Sequence, residues 1–146
     1  MSLLVLQGVF PVVLNLSNME NNNKERFYQK KTIHIPAADQ EVVIDFDTSK
    51  NWERVVEVII YGDTDYTQNR NCQFTQPFKI NNTEFYPVDF DTYLLFPRKE
   101  NERYRLVNEE ANGSKVEGKI KDPSVAGFAA YDLSIILVLE RTIRND

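Results

Sequence analysis

Short runs of β-branched, aromatic and aliphatic residues recur along the whole chain, many of them alternating with polar residues, and each is broken off by Asn, Asp, Pro or Gly. Successive side chains of a strand point to opposite faces, so a spacing of two marks half-buried strands, and a chain made of little else must close its sheets on one another. Gln40 to Phe46 shows the pattern, with Val42, Ile44 and Phe46 alternating against Val43 and Asp45. Lys115 to Lys121 shows it more sharply, with Val116 and Ile120 set against Lys115, Glu117, Lys119 and Lys121, so one side of that strand is wet.

Two segments are apolar on both sides. In Arg54 to Tyr61, Val56, Val58 and Ile60 form one row and Val55, Ile59 and Tyr61 the other, which suits a central strand covered on both faces. Ala130 to Ile143 is the longest regular run; it starts buried on both faces and ends half exposed, and its Ile-Ile-Leu-Val-Leu composition favours a strand over a helix. Thr32 to Pro36, Phe74 to Ile80 and Arg103 to Val107 read as further strands, and Tyr86 to Phe96 as an edge strand or as pieces split near Asp91, because Pro87 and Pro97 cannot donate to a ladder. Glu25 to Lys31 is the one other stretch that reads as a helix.

About eight to ten strands at turn spacings of roughly 8 to 12 residues give an all-β, antiparallel two-sheet sandwich, and the strand number favours a jelly roll. A chain of 146 residues suits a single domain, residues 1–146. Within it, residues 1–16 read as an N-terminal strand or an assembly arm. This stretch lacks a positive start and a small-residue cleavage motif and is interrupted by Gln7, Gly8 and Pro11, so it does not read as a secretory signal. It also falls short of the roughly 20 apolar residues needed to span a bilayer.

Composition narrows the partners. Acidic residues exceed basic ones by 22 to 17, and the only dense basic clusters are Lys30-Lys31 and Arg98-Lys99, a poor match for a phosphate backbone, so nucleic acid is not expected. Cys72 stands alone and excludes an intrachain disulfide and a cysteine-cluster zinc site. His34 is the only histidine, between Ile33 and Ile35, and reads as a strand histidine pointing away from the core. Asp63 to Asn69 places oxygen ligands at alternate positions but lacks the sixth-position glycine and the acidic twelfth residue of a calcium loop. The Asp45/Asp47 and Asp89/Asp91 pairs read as strand-end solvation rather than as a glycosidase acid and base. Sequons at Asn15, Asn81 and Asn112 carry little weight in a chain this rich in Asn.

The inventory therefore points away from an enzyme and from any metal or cofactor. It fits a structural or assembly subunit acting through protein contacts, such as a virion capsid, decoration or tail component, with other subunits or copies of itself as partners. The compartment stays open, being the virion if that reading holds. A carbohydrate-binding module is the alternative, since it uses the same fold class and exposed aromatics. The contact residues expected from the sequence are Leu4, Leu6, Phe10 and Val12 in the N-terminal arm, with Trp52 before a strand and Tyr66 in the polar loop.

Overall fold

The computed structural model describes residues 23–62, 72–124 and 126–144. Contacts divide the chain into two compact units, residues 26–141 and residues 1–25 with 142–146. In the smaller unit the Ile143 N–H donates to the Asn23 carbonyl at 3.0 Å. The apolar stretch Leu3 to Leu16, with Leu4, Leu6, Phe10 and Val12, lies outside the described residues, as do Tyr66 and the rest of the Asp63 to Asn69 loop.

The described strands are β1 (Lys24–Ile35), β2 (Val42–Asp47), β3 (Arg54–Gly62), β4 (Gln73–Ile80), β5 (Thr83–Tyr86), β6 (Leu106–Glu110), β7 (Lys115–Lys121) and β8 (Tyr131–Thr142). They form two antiparallel four-stranded sheets in the orders β1-β8-β3-β6 and β2-β7-β4-β5. First strand lies beside last, second beside seventh, third beside sixth and fourth beside fifth. The chain is one long hairpin rolled up until β8 also meets β3 and β7 also meets β4, which is the jelly-roll connection.

The core lies between the sheets. From the first sheet, Ile33 and Ile35, Val55, Val58 and Ile60, and Leu133, Ile135, Leu137 and Leu139 face inward; Ile44, Phe74, Phe78, Ile80, Tyr86, Val116 and Ile120 face them from the second. Phe74 packs its ring against Phe78, Tyr86 and Phe90 at centroid distances of 5.7, 5.9 and 6.4 Å, within the range where aromatic pairs add to plain burial. The turns use residues that tolerate left-handed backbone. Asn81 and Asn82, at φ 54° and 67°, make the two-residue link from β4 to β5.

β4 is irregular, with register shifts between Phe74 and Gln76 and between Gln76 and Lys79. Its bulged backbone crosses close over Gly118, where a Cβ would meet the Pro77 carbonyl oxygen at 3.3 Å and the Phe78 Cα at 3.4 Å. A glycine at this point of β7 admits the bulge.

Four local expectations change. Val55, expected in one row with Ile59 and Tyr61, is buried with Val58 and Ile60, because a bulge between Val55 and Glu57 shifts the alternation of β3. Glu25 to Lys31, expected to be helical, lies within β1, because pairing along β8 overrides the helix propensity of its Lys, Glu, Arg and Gln residues. The alternation of Tyr86 to Phe96 does not continue as a strand. It stops at Tyr86, Asp89 takes a φ of 70°, and Thr92–Leu95 winds into a 3-10 turn, since Pro87 cannot extend the ladder. Arg103 to Val107 divides into a helical turn, α1 (Glu102–Arg105), and the start of β6.

Phe74→Ala should cost about 3–5 kcal/mol, the range for emptying a fully buried aromatic site. Urea unfolding checks this, and a loss below about 1 kcal/mol would show that the core repacks around the cavity.

Candidate interaction face

The two sheets differ on the faces that point away from the core. On the second sheet, β2 and β7 are laced by ion pairs, Asp45 with Lys115 at 2.8 Å and Glu41 with Lys119 at 3.9 Å, and Asp39 before β2 pairs with Lys121 at 3.0 Å. Val43 is the exposed apolar residue among them. A shallow groove of about 330 Å³ lies over the β4 bulge, lined by Gln76, Pro77, Lys79, Glu117 and Gly118. This is a solvated face.

On the first sheet the corresponding face carries more apolar residues. β3 and β8 are its two inner strands, and register places Ile59 beside Ile136 and Tyr61 beside Ser134. The Arg26–Glu140 and His34–Asp132 pairs, 3.1 and 2.8 Å long, stand eight positions apart on both β1 and β8. They define one antiparallel register, in which Tyr28 lies opposite Val138 and Lys30 opposite Ile136. The result is a stripe of Tyr28, Val138, Ile136, Ile59 and Tyr61, bounded by Arg26 and Glu140 toward one end and by His34 and Asp132 toward the other. None of the five belongs to the core cluster. Tyr28 is 61% exposed, Ile59, Tyr61 and Ile136 are half-buried, and Val138 is 1% exposed. Lys30 opposite Ile136, Glu57 opposite Val138 and Ser134 opposite Tyr61 interrupt the stripe, so the face is a mixed one, apolar and polar together, as protein contact surfaces are.

Of the contact residues expected from the sequence, Trp52 is the one described. It is half-buried and packs on the core cluster, its ring stacked on Phe27 at 5.6 Å with the Arg141 guanidinium over it at 4.3 Å. Trp52 thus closes the core near the start of β3 rather than standing open for a sugar. His34 is exposed as expected and bonds Asp132 across the strands. Asp45 is held by Lys115, and Asp91 accepts from the Gln73 side chain at 3.0 Å. Among the described residues, no set of three or more His, Cys, Asp and Glu side chains converges to hold a metal ion, and no helix is long and apolar enough to cross a membrane.

A second basic and aromatic cluster lies in the link from β5 to β6. Arg98 sits over the rings of Tyr93 and Phe96 at 5.3 and 5.6 Å, and Arg103 over Tyr104 at 4.7 Å. Arg105 is buried there. It donates to Glu57 at 2.8 Å and to the carbonyls of Phe96 and Arg98 at 3.1 and 2.8 Å, so this cation ties the link to β3.

Sequence reasoning did not find a second buried polar group. The Tyr131 hydroxyl donates to Asp122 Oδ2 at 2.6 Å and lies 3.3 Å from Cys72 Sγ, while Asp122 Oδ1 accepts the Ser124 N–H at 2.8 Å. Cys72 and Tyr131 stand 59 positions apart, so no local motif announces the contact. Burial pushes the Cys72 thiol from 9.0 up to about 12, with the Asp122 charge acting in the same sense. Burial, followed by the negative charges beside it, raises the Tyr131 hydroxyl well above its ordinary value. A thiol held neutral in this way is packing, not a nucleophile.

Neither a protein-family model, nor a curated protein, nor a solved structure matches this chain at a significant level. What the described residues define is an all-β two-sheet sandwich with jelly-roll connections, one outer face ion-paired and the other richer in apolar residues.

Groups whose folded pKa is raised contribute stability that is fully present below their unfolded pKa and is lost as pH rises toward the folded value. For Cys72 that window runs from 9.0 to about 12, and Tyr131 adds to the loss at the alkaline end. The urea midpoint should therefore fall between pH 9 and pH 12. Tyr131→Phe should lose about 1–3 kcal/mol at pH 8, where Asp122 is left one donor short, and should show a shallower alkaline fall than the parent chain. Equal slopes in the two proteins would remove Tyr131 from the alkaline transition.

Proposed function

We propose that this protein is a non-enzymatic structural subunit that works by contact with other protein chains in a larger assembly, the virion component being the specific form of that reading. The observation that carries it is the more apolar of the two outer faces, that of the β1-β8-β3-β6 sheet. A sheet wetted on one side alternates apolar and polar residues, as β7 does, whereas β3 and β8 place Ile59, Tyr61, Ile136 and Val138 on the side away from the core. Apolar surface framed by charge marks a contact site. Jelly rolls serve both capsids and lectins, so the fold does not choose between the two readings. The way Trp52 is occupied by Phe27 and Arg141 favours the protein contact over a sugar platform.

Ile59→Thr with Tyr61→Thr keeps β-branched residues on the strand while removing the apolar stripe. The parent chain should associate with rising concentration or beside its natural partners by light scattering. The double variant should weaken association beyond a dimer, or with those partners, at least about tenfold, which corresponds to roughly 1.4 kcal/mol, with its circular dichroism unchanged. A parent chain that stays monomeric in both settings, or a glycan-array signal lost on Trp52→Ala, would overturn the reading.

A further inference from the structure

Among the described residues, β1 has the single strand neighbour β8 and β2 the single neighbour β7, so each presents a backbone edge with no strand on it, the Asp47 carbonyl of β2 being taken by the Gln29 side chain. Both edges lie on the same side of the sandwich. Gln29 of β1 reaches across to donate to the Asp47 carbonyl at 2.9 Å and to accept the Ser49 N–H at 2.8 Å. The edges have opposite charge. From Arg26 to Ile35 there is no acidic residue and from Glu41 to Asp47 no basic one, while Arg26, Lys30 and Lys31 on the first and Glu41, Asp45 and Asp47 on the second are all exposed.

We propose that two copies of this chain form a closed two-fold dimer in which β1 of each copy pairs antiparallel with β2 of the other. The occupant of each free edge is then a second copy of the same chain, and both sheets run on across the boundary.

The charge pattern chooses this geometry over its rival. Two sandwiches meeting side by side can be related by a two-fold axis along the strands or by one along the sheet normal. The first brings β1 beside the partner's β2 and keeps them antiparallel. The second brings β1 to β1 and β2 to β2, which sets Lys30 and Lys31 against their own copies and Asp47 against its own, and like charges directly across a strand pair are destabilising. Only the first arrangement puts every basic edge against an acidic one. Because it is isologous it also closes, leaving neither edge open to further addition.

The side chains for this contact are available. Arg26 is committed to Glu140, and Asp45 and Glu41 to lysines of β7, but Lys30, Lys31 and Asp47 make no ion pair among the described residues. Exposed ion pairs contribute little affinity. Main-chain hydrogen bonds from the outward-facing groups of β2 supply the affinity, as in other strand additions, and the charges select the partner edge. An edge left open would invite uncontrolled pairing, and the lysines on β1 alone do not close it. This contact lies at the sandwich side and does not depend on the apolar face, so Ile59→Thr with Tyr61→Thr leaves it intact.

Sedimentation velocity on the full chain should show a species of twice 17.0 kDa. Lys30→Glu with Lys31→Glu should weaken the dimer at least about tenfold, and adding Asp47→Lys to that variant should recover part of the loss, because position 47 then carries the charge opposite to that at positions 30 and 31. The positions are exposed, and unchanged circular dichroism confirms that each variant folds. Carbodiimide coupling of a mixture of isotopically heavy and light chains should join Lys30 or Lys31 of one copy to Asp45 or Asp47 of the other. A monomeric parent chain, a charge-reversed variant that dimerises as the parent does, failure of Asp47→Lys to rescue, or inter-copy cross-links that omit the β1-to-β2 junction would each overturn the proposal.

Discussion

The inward row of β8 is the constraint on which the other elements depend. Leu133, Ile135, Leu137 and Leu139 are fully buried, and the strand that carries them lies between β1 and β3, so the last of the described strands completes the sheet begun by the first of them. Until β8 arrives, β1 has no described neighbour in its sheet and the core lacks that row. The pairing is also the most non-local among the described strands, since the first of them meets the last. Folds dominated by such pairings gain their stabilising contacts only after long loops have closed, which makes folding slow and cooperative.

That closure leaves the two outer faces in different chemical states. The β2-β7 face satisfies itself, with lysines of β7 reaching acids on and beside β2, and it needs only water beyond that. The β3-β8 face does less of this, because beside Glu57, which Arg105 pairs, and Ser134 its outward residues are Ile59, Tyr61, Ile136 and Val138, which offer their neighbours packing rather than charge. The asymmetry is independent of the turns and link segments, and it is what directs the functional reading toward a covered surface. The polar groups inside the sandwich have another task. Arg105 with Glu57 and Tyr131 with Asp122 each bind a connecting segment to the sheets, where apolar packing alone would not specify the path of the chain.

Much of this was legible in the residues. The doubly apolar runs at Arg54 to Tyr61 and Ala130 to Ile143 correctly announced inner strands, and the sharp alternation of Lys115 to Lys121 announced a strand with one wet face. Both signals are local, because period and polarity in a strand report directly on what covers each side. Other elements were not legible for equally definite reasons. The residues of β1 from Lys24 to Lys31 have a helix-forming composition, and only pairing with a strand more than a hundred positions away makes them extended. Trp52 looked exposed because its neighbours in sequence are polar, but its neighbours in space are Phe27 and Arg141. Tyr28 is a stripe residue only because the β1–β8 register turns it outward opposite Val138.

By itself, the sequence determined that the chain would be an all-β sandwich, which segments would be inner strands, and that the one cysteine and one histidine could not build a metal cluster of their own. Those conclusions rest on side-chain alternation, counting and backbone propensity, all of which act within a few residues. Tertiary structure decided which strand lies beside which, and therefore which outward rows merge into one apolar stripe, which edges stay open and which charges share a side. These are decided by register and by contacts between residues far apart in the chain, where the hydrophobic pattern sets what must be buried but not which distant strand will bury it.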